Sequence, residues 1–337
     1  MTMNETAVAG NFSMSSLVVM FIFGVAMLWF GGYLVSAVTY ALFEKCKVHE
    51  ATQESARAII FSILCAFVPV AAVVSGNNDM AVGALAGQGM VAIGVMVGAF
   101  AIAKNLPVDA GLRMKELPIL LAAVIIFALL SRGGMSLDRT DGWLLLVLGV
   151  VCAMFFMLKN KTAPENRIPE EKRAGFIVSY FKSGGNINVL RAAFMAAIAI
   201  MILAVGSAFV VDALGKFCAH YEIPALGIGA TIAAFCGIIP VVSSAHGSGV
   251  LSSPRLVPGH IAGVCIFSIF ICGGLAAEVS PLAISAAFFR VEIPGLFVLA
   301  ALFWLFIRAR ETIGKFEGAI MFVTFAAFVW ACVRGSL

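Results

Sequence analysis

Long uncharged runs alternate with short charged connectors along almost the whole chain. Each run is close to the roughly 20 residues a helix needs to cross a bilayer. Read this way, the sequence predicts spans at about 17 to 43, 56 to 76, 80 to 103, 116 to 131 and 142 to 158. After a polar stretch from Lys159 to Arg191, five more follow at about 192 to 215, 223 to 243, 257 to 277, 292 to 308 and 317 to 334. The fourth and ninth runs are short, at the same place in each set. The expected fold class is an all-α polytopic membrane protein with ten transmembrane helices.

The two sets also correspond residue by residue. Glu116-Leu117-Pro118 matches Glu292-Ile293-Pro294, and Asp141-Gly142 matches Glu317-Gly318, both 176 residues apart. Pro69 and Pro240, each inside an apolar run, lie 171 apart. An odd number of spans per unit makes the second copy enter the membrane from the opposite side, so the units are inverted repeats about an axis in the membrane plane. The expected division is a first repeat at 1–158, a cytoplasmic linker at 159–191 and a second repeat at 192–337. The linker, with Pro164-Glu165-Asn166-Arg167-Ile168-Pro169-Glu170-Glu171-Lys172-Arg173 inside it, reads as a solvated mixed-charge connector.

Composition agrees with the pattern: 62% hydrophobic and 12% charged residues exclude an ordinary soluble domain. The net charge of +4 would suggest nucleic acid in a soluble chain, but here the bases collect between spans, so no nucleic-acid partner is expected. Starting the chain outside leaves only Arg132, Arg139, Lys216, Arg290 and Arg334 of the 22 Lys and Arg residues on the outer face. The positive-inside rule therefore places both termini outside, in what is expected to be a bacterial inner membrane. Met1 to Ser16 carries no Lys or Arg and the first run is too long for a signal peptide, so the N-terminus is expected to be retained. Eight cysteines, mostly inside apolar stretches, form no Cys-x-x-Cys pair and suggest neither disulfides nor a zinc site. No metal site, catalytic set or cofactor is expected.

A proline in a membrane helix cannot donate to the carbonyl four residues back, so Pro69 and Pro240 release the carbonyls of Cys65 and Cys236 at mid-span. A substrate site would lie where those two broken helices meet.

At this point the chain resembles the cation/calcium exchanger superfamily, whose sodium/calcium exchangers have ten helices in two inverted signature repeats. The resemblance is carried by Ile223-Pro224-Ala225-Leu226-Gly227-Ile228-Gly229-Ala230-Thr231-Ile232-Ala233-Ala234-Phe235-Cys236-Gly237-Ile238-Ile239-Pro240, similar to the approach to the family's Gly-Thr-Ser-x-Pro-Glu motif. Gly76-Asn77-Asn78-Asp79 is similar to the family's Gly-Asn-x-Asp turn, and Gly87-Gln88-Gly89 stands at its Gly-Ser-Asn step. The resemblance implies a sodium/calcium exchanger-like fold, with Cys65, Pro69, Gln88, Thr231, Cys236, Pro240 and Ser268 along the substrate path.

It also implies a loss. Where the motifs end in Glu, this chain has Val70 and Val241; the facing steps are Gly87-Gln88-Gly89 and Gly263-Val264-Cys265, and the polar position a turn later is Ala92 or Ser268. Of the implied ligand set, Gln88 and Ser268 alone keep a side-chain oxygen. Calcium takes six to eight oxygens and needs carboxylates to offset its charge, so calcium exchange is not expected.

Other polar residues have plainer readings. Asp79 is expected to cap the third helix. Asp212 and Glu278 lie near outer helix ends, where a solvated carboxylate costs little. His246 and His260, with Ser243, Ser244, Ser248 and Arg255, fall in an inner loop expected to be an ordinary interfacial one. Three function classes remain. The first is an exchanger-type secondary transporter with a degenerate site, moving a monovalent ion or small solute. The second is a non-transporting membrane subunit that binds a partner membrane protein, and an integral membrane enzyme comes last. Membrane lipid surrounds the protein in each.

Overall fold

The computed structural model describes residues 14–47, 50–108, 116–159, 182–183 and 186–335. Over these the chain forms ten principal helices, the second in two pieces. They are α1 (Met14–Lys45), α2a (Glu50–Leu64), α2b (Phe67–Val74), α3 (Asn78–Ala103), α4 (Leu117–Gly133) and α5 (Arg139–Lys159). The second set is α6 (Val189–Tyr221), α7 (Ala225–Gly247), α8 (Val257–Val279), α9 (Glu292–Ala309) and α10 (Lys315–Gly335). Among the described residues, nine helices are long and apolar enough to cross a membrane, and α4 is a shorter apolar helix of 17 residues. Most of the expected linker, residues 160–181 and 184–185, lies outside the described residues.

Short strands tie the helix ends together and expose the internal symmetry. They are β1 (Leu106–Pro107), β2 (Ser136–Leu137), β3 (Lys182–Ser183), β4 (Asn186–Ile187), β5 (Leu282–Ala283) and β6 (Thr312–Ile313). β1 pairs antiparallel with β6, setting Leu106 opposite Ile313, and β2 pairs with β5, setting Leu137 opposite Leu282. A shift of 176 positions carries Leu106 to Leu282 and Leu137 to Ile313, so each pair is the image of the other. The same shift relates the π-helical turns Ala92–Val97 in α3 and Ser268–Cys272 in α8. It also relates two helix starts: Asp138 N donates to Asp141 Oδ2 at 3.2 Å, and Gly314 N donates to Glu317 Oε2 at 3.0 Å.

Packing follows the same rule. Gly142 of α5 lies against Gly274 and Ala277 of α8, and Gly318 of α10 lies against Gly98 and Ala101 of α3. The last helix of each half therefore packs on the third helix of the other, and the halves interlock. The protein is an all-helical membrane protein of two inverted five-helix repeats.

α3 and α8 are the most enclosed helices, whereas α1, α5, α6 and α10 turn large apolar side chains outward, such as Phe23, Trp143, Phe194 and Trp330. Such faces suit lipid, because lipid tails satisfy apolar side chains as well as a core does. α1 and α6 cross where Gly24 meets Gly206. Asn188 caps α6, its Oδ1 accepting from Leu190 N at 3.0 Å and Arg191 N at 3.4 Å.

Candidate functional site

The first repeat breaks where its proline requires. α2a stops at Leu64, and three-residue turns follow, with Cys65 N donating to Ser62 O and Ala66 N to Ile63 O, each at 3.0 Å. α2b restarts at Phe67. The Cys65 carbonyl, deprived of a backbone donor by Pro69, accepts from Gln88 Nε2 of α3 at 2.8 Å. Gln88 is 0% exposed, and its Oε1 is buried with no hydrogen-bond partner.

Small residues let the facing helix reach this point. Gly83 and Gly87 of α3 lie against the backbone of Leu226 and Ala230, and Gly229 lies against the backbone of Met80. Further along α7, a methyl group at Gly237 would collide with Gln88 Nε2. Gln88 is thus held between the two proline-bearing helices, α2 and α7.

The expected break at Pro240 is not found. α7 stays helical from Ala234 to Gly247 with Pro240 inside it, and the irregularity lies upstream, in a π-helical turn at Gly229–Ala233. That widened turn absorbs the change in helical register, and the proline segment is seated on Gly32 of α1, with Ser243 Oγ donating to Pro240 O at 3.1 Å. Pro240 still withholds an N–H from Cys236. On α8 the position matching Gln88 is Val264, which has no polar side-chain atom to offer.

The other sequence-predicted residues are spent locally or packed. Ser268 Oγ donates to Cys265 O at 3.0 Å, and Thr231 Oγ1 donates to Gly227 O at 2.7 Å, each within its own helix. Pro69, Pro240 and Cys236 are buried; Val241 is 1% exposed and Val70 half-buried. Two thiols missed in the sequence join the centre. Cys272 Sγ donates to Ser62 O at 3.3 Å, and Cys265 Sγ faces Gly89 O at 3.9 Å. Their only advance signal was position, since Cys265 closes the Gly263-Val264-Cys265 step. Among the described residues, no group of three or more His, Cys, Asp or Glu side chains is placed to hold a metal ion.

Several polar residues depart from expectation. His260 is not in a loop: it lies inside α8, 7% exposed, its ring edge-on to Phe61 at 5.8 Å and its Nε2 without a partner. Arg57, one turn before Phe61 on α2a, is 4% exposed. Ser243, Ser244 and Ser248 donate to carbonyls of their own helical segment rather than lining a loop. Asp79 does not cap α3: Asn77 holds the cap position without a side-chain bond, and Asp79 sits exposed in the first turn, where helix-dipole attraction suffices. Asp212 pairs with Lys216 at 2.7 Å near the surface, whereas Glu278 keeps one buried, unpartnered oxygen because α5 packs on it through Gly142. Glu292, read in sequence only as a repeat marker, is 3% exposed, with Oε2 unpartnered and Oε1 facing Cys332 Sγ at 3.9 Å.

This architecture has known counterparts. Residues 191–334 match the family model described as sodium/calcium exchanger protein. The fold superposes on the sodium-calcium exchanger NCX_Mj in a sodium-soaked form with a TM-score of 0.63, at 20% identity, over 94% of this chain and 99% of that one. A form of NCX_Mj soaked without sodium or calcium gives a TM-score of 0.61 at 19% identity, over 94% and 98%. Inner membrane protein YrbG of Escherichia coli (strain K12) is 26% identical over 215 residues, which span 64% of this chain and 64% of that relative. Residues 191–334 thus match the sodium/calcium exchanger family model, and the whole fold, with paired strands and π-turns at one constant spacing, is that of the sodium-calcium exchanger NCX_Mj.

Proposed function

We propose that this protein is a secondary transporter of the sodium/calcium exchanger type with a degenerate ion site, moving another ion or a small solute in place of calcium. The observation that carries this reading is the chemistry of the centre. Its described side chains are an amide, hydroxyls, thiols and apolar groups, with Val70 and Val241 at the positions the resemblance gives to carboxylates. A divalent cation brought there would lose its hydration with no negative charge to offset the loss, at a cost of several kcal/mol. Cys65, Pro69, Gln88, Thr231, Cys236, Pro240 and Ser268 are the proposed path residues, in repeats at 1–158 and 192–337 joined by a linker at 159–191. The name of YrbG and the distribution of Lys and Arg favour an inner membrane with both termini outside.

The test is ion flux in liposomes holding the purified protein. Sodium-driven calcium uptake is expected to be absent, and its presence would overturn the reading. A second reading, a non-transporting subunit that binds a partner membrane protein, is favoured by the packing of Gln88, Ile238 and Val241 at the centre. It predicts no flux of any ion and co-purification with one stoichiometric membrane partner.

A further inference from the structure

We infer that the Gln88 amide is a resident substitute for the bound cation, so that the centre closes with no ion present. The inference rests on the reading of the centre as a former ion site. In a carrier of this architecture, a carbonyl freed by proline at mid-span is an open acceptor that a cation or a donor side chain can take up. Here the donor belongs to the chain itself: Gln88 Nε2 donates to Cys65 O at 2.8 Å. The amide end of Gln88 also fills the space that Gly237 leaves open on the opposite helix, so one neutral side chain touches both proline-bearing segments.

The choice of an amide follows from the lost charge. With valine at 70 and 241, an ion entering the centre would give up hydration without a counter-charge, whereas a neutral N–H satisfies the same carbonyl without that penalty. Among the described residues, the hydrogen bond that holds Gln88 is made by its amide nitrogen, and Oε1 has no partner. The functional consequence concerns coupling. Strict exchange requires that an empty carrier cannot occlude, and a tethered substitute removes that requirement.

The experiment compares unfolding temperatures of detergent-purified protein in choline, Na⁺, K⁺ and Ca²⁺ salts at about 100 mM, since a bound ion stabilises by mass action. Wild type is expected to be insensitive to the cation. Gln88→Ala is expected to unfold about 3 °C lower in choline and to regain at least half of that in Na⁺ or K⁺. Gln88→Met, which fills the space with no donor, is expected to fall similarly and regain nothing. Stabilisation of wild type by any of the cations would overturn the inference, and this holds even if Gln88→Ala yields no folded protein. A folded Gln88→Ala that ignores all cations would overturn it too, as would a Gln88→Met that recovers like Gln88→Ala. Absence of ion flux beside this pattern would remove the transport reading and leave the inference standing; flux beside a cation-stabilised wild type would do the reverse.

Discussion

Two seams meet at the centre of this molecule, and they are built from matching positions with different residues. In one, α3 lies against α7 backbone to backbone, through Gly83, Gly87 and Gly229. In the other, α8 faces α2 with Gly263 meeting the Ala58 side chain, while Gly259, the counterpart of Gly83, has among the described residues Glu116 Oε2 at 3.8 Å beside it. The first seam carries Gln88 and closes on the Cys65 carbonyl; the second has Val264 at the matching place. Buried ionisable residues gather along the second, with Arg57 on α2a and His260 on α8. The fold is symmetric, but its two seams are packed differently: one backbone to backbone, the other through side chains.

The largest expected effect tests that difference directly. A valine at Gly87 would drive its side chain into the Ala230 backbone and the Ala234 methyl, so Gly87→Val is expected to cost about 3 kcal/mol or more and to reduce the yield of folded protein sharply. Gly263→Val meets Ala58 Cβ at 3.1 Å and nothing nearer, and is expected to cost about 1 kcal/mol. Unfolding temperatures of the two variants read the gap. Equal losses would mean that the two seams are equally tight.

A second pair of substitutions asks how dry the positions of Val70 and Val241 are. Val241 is 1% exposed and Val70 half-buried, so a carboxyl group loses more hydration at the first than at the second. Val241→Glu is expected to destabilise by about 2 kcal/mol more than Val70→Glu, and the double variant to recover part of the combined loss in calcium. Unfolding with and without calcium reads both outcomes. Recovery by Val70→Glu alone would mean that a single carboxylate on the first repeat suffices to hold calcium.

What the sequence made legible was whatever rests on hydropathy and on like residues at constant spacing. Ten apolar runs predicted ten helices, the Glu-x-Pro and acid-Gly pairs predicted a repeat, and the odd number of spans per unit predicted its inversion, because membrane insertion depends on hydropathy over many residues at once. The strands stayed invisible, since a pair such as Leu106–Pro107 with Thr312–Ile313 has no pattern of its own and forms only because the interlocked helices bring the ends together. The outcome at the prolines depended on neighbours outside the local sequence. Pro69 breaks its helix because turns at Cys65 and Ala66 and the Gln88 amide take up the freed groups. Pro240 leaves its helix intact because a π-turn upstream and the seat on Gly32 absorb the strain. The two thiols at the centre gave no chemical signal beyond the place of Cys265 in the Gly263-Val264-Cys265 step, because a cysteine in an apolar run reads as a small core residue until its helix is placed.

The smallest expected effect separates symmetry of fold from symmetry of energy. Asp141 and Glu317 occupy matching positions and accept from matching backbone groups, at 3.2 Å and 3.0 Å. Their settings differ, because Glu317 is buried and also pairs with Arg310 Nη1 at 3.1 Å, whereas Asp141 makes a single exposed hydrogen bond. Arg310 is itself mostly exposed, so solvent screens the pair and its contribution stays within about 1 kcal/mol. Neutralising the acid should therefore cost about 0.5 kcal/mol more in Glu317→Gln than in Asp141→Asn, and the excess should shrink as salt rises. Denaturant midpoints at low and high ionic strength would check this. If the two losses were equal and both ignored salt, the hydrogen bond alone would account for each cap, and inherited symmetry would extend to the energies as well as to the geometry.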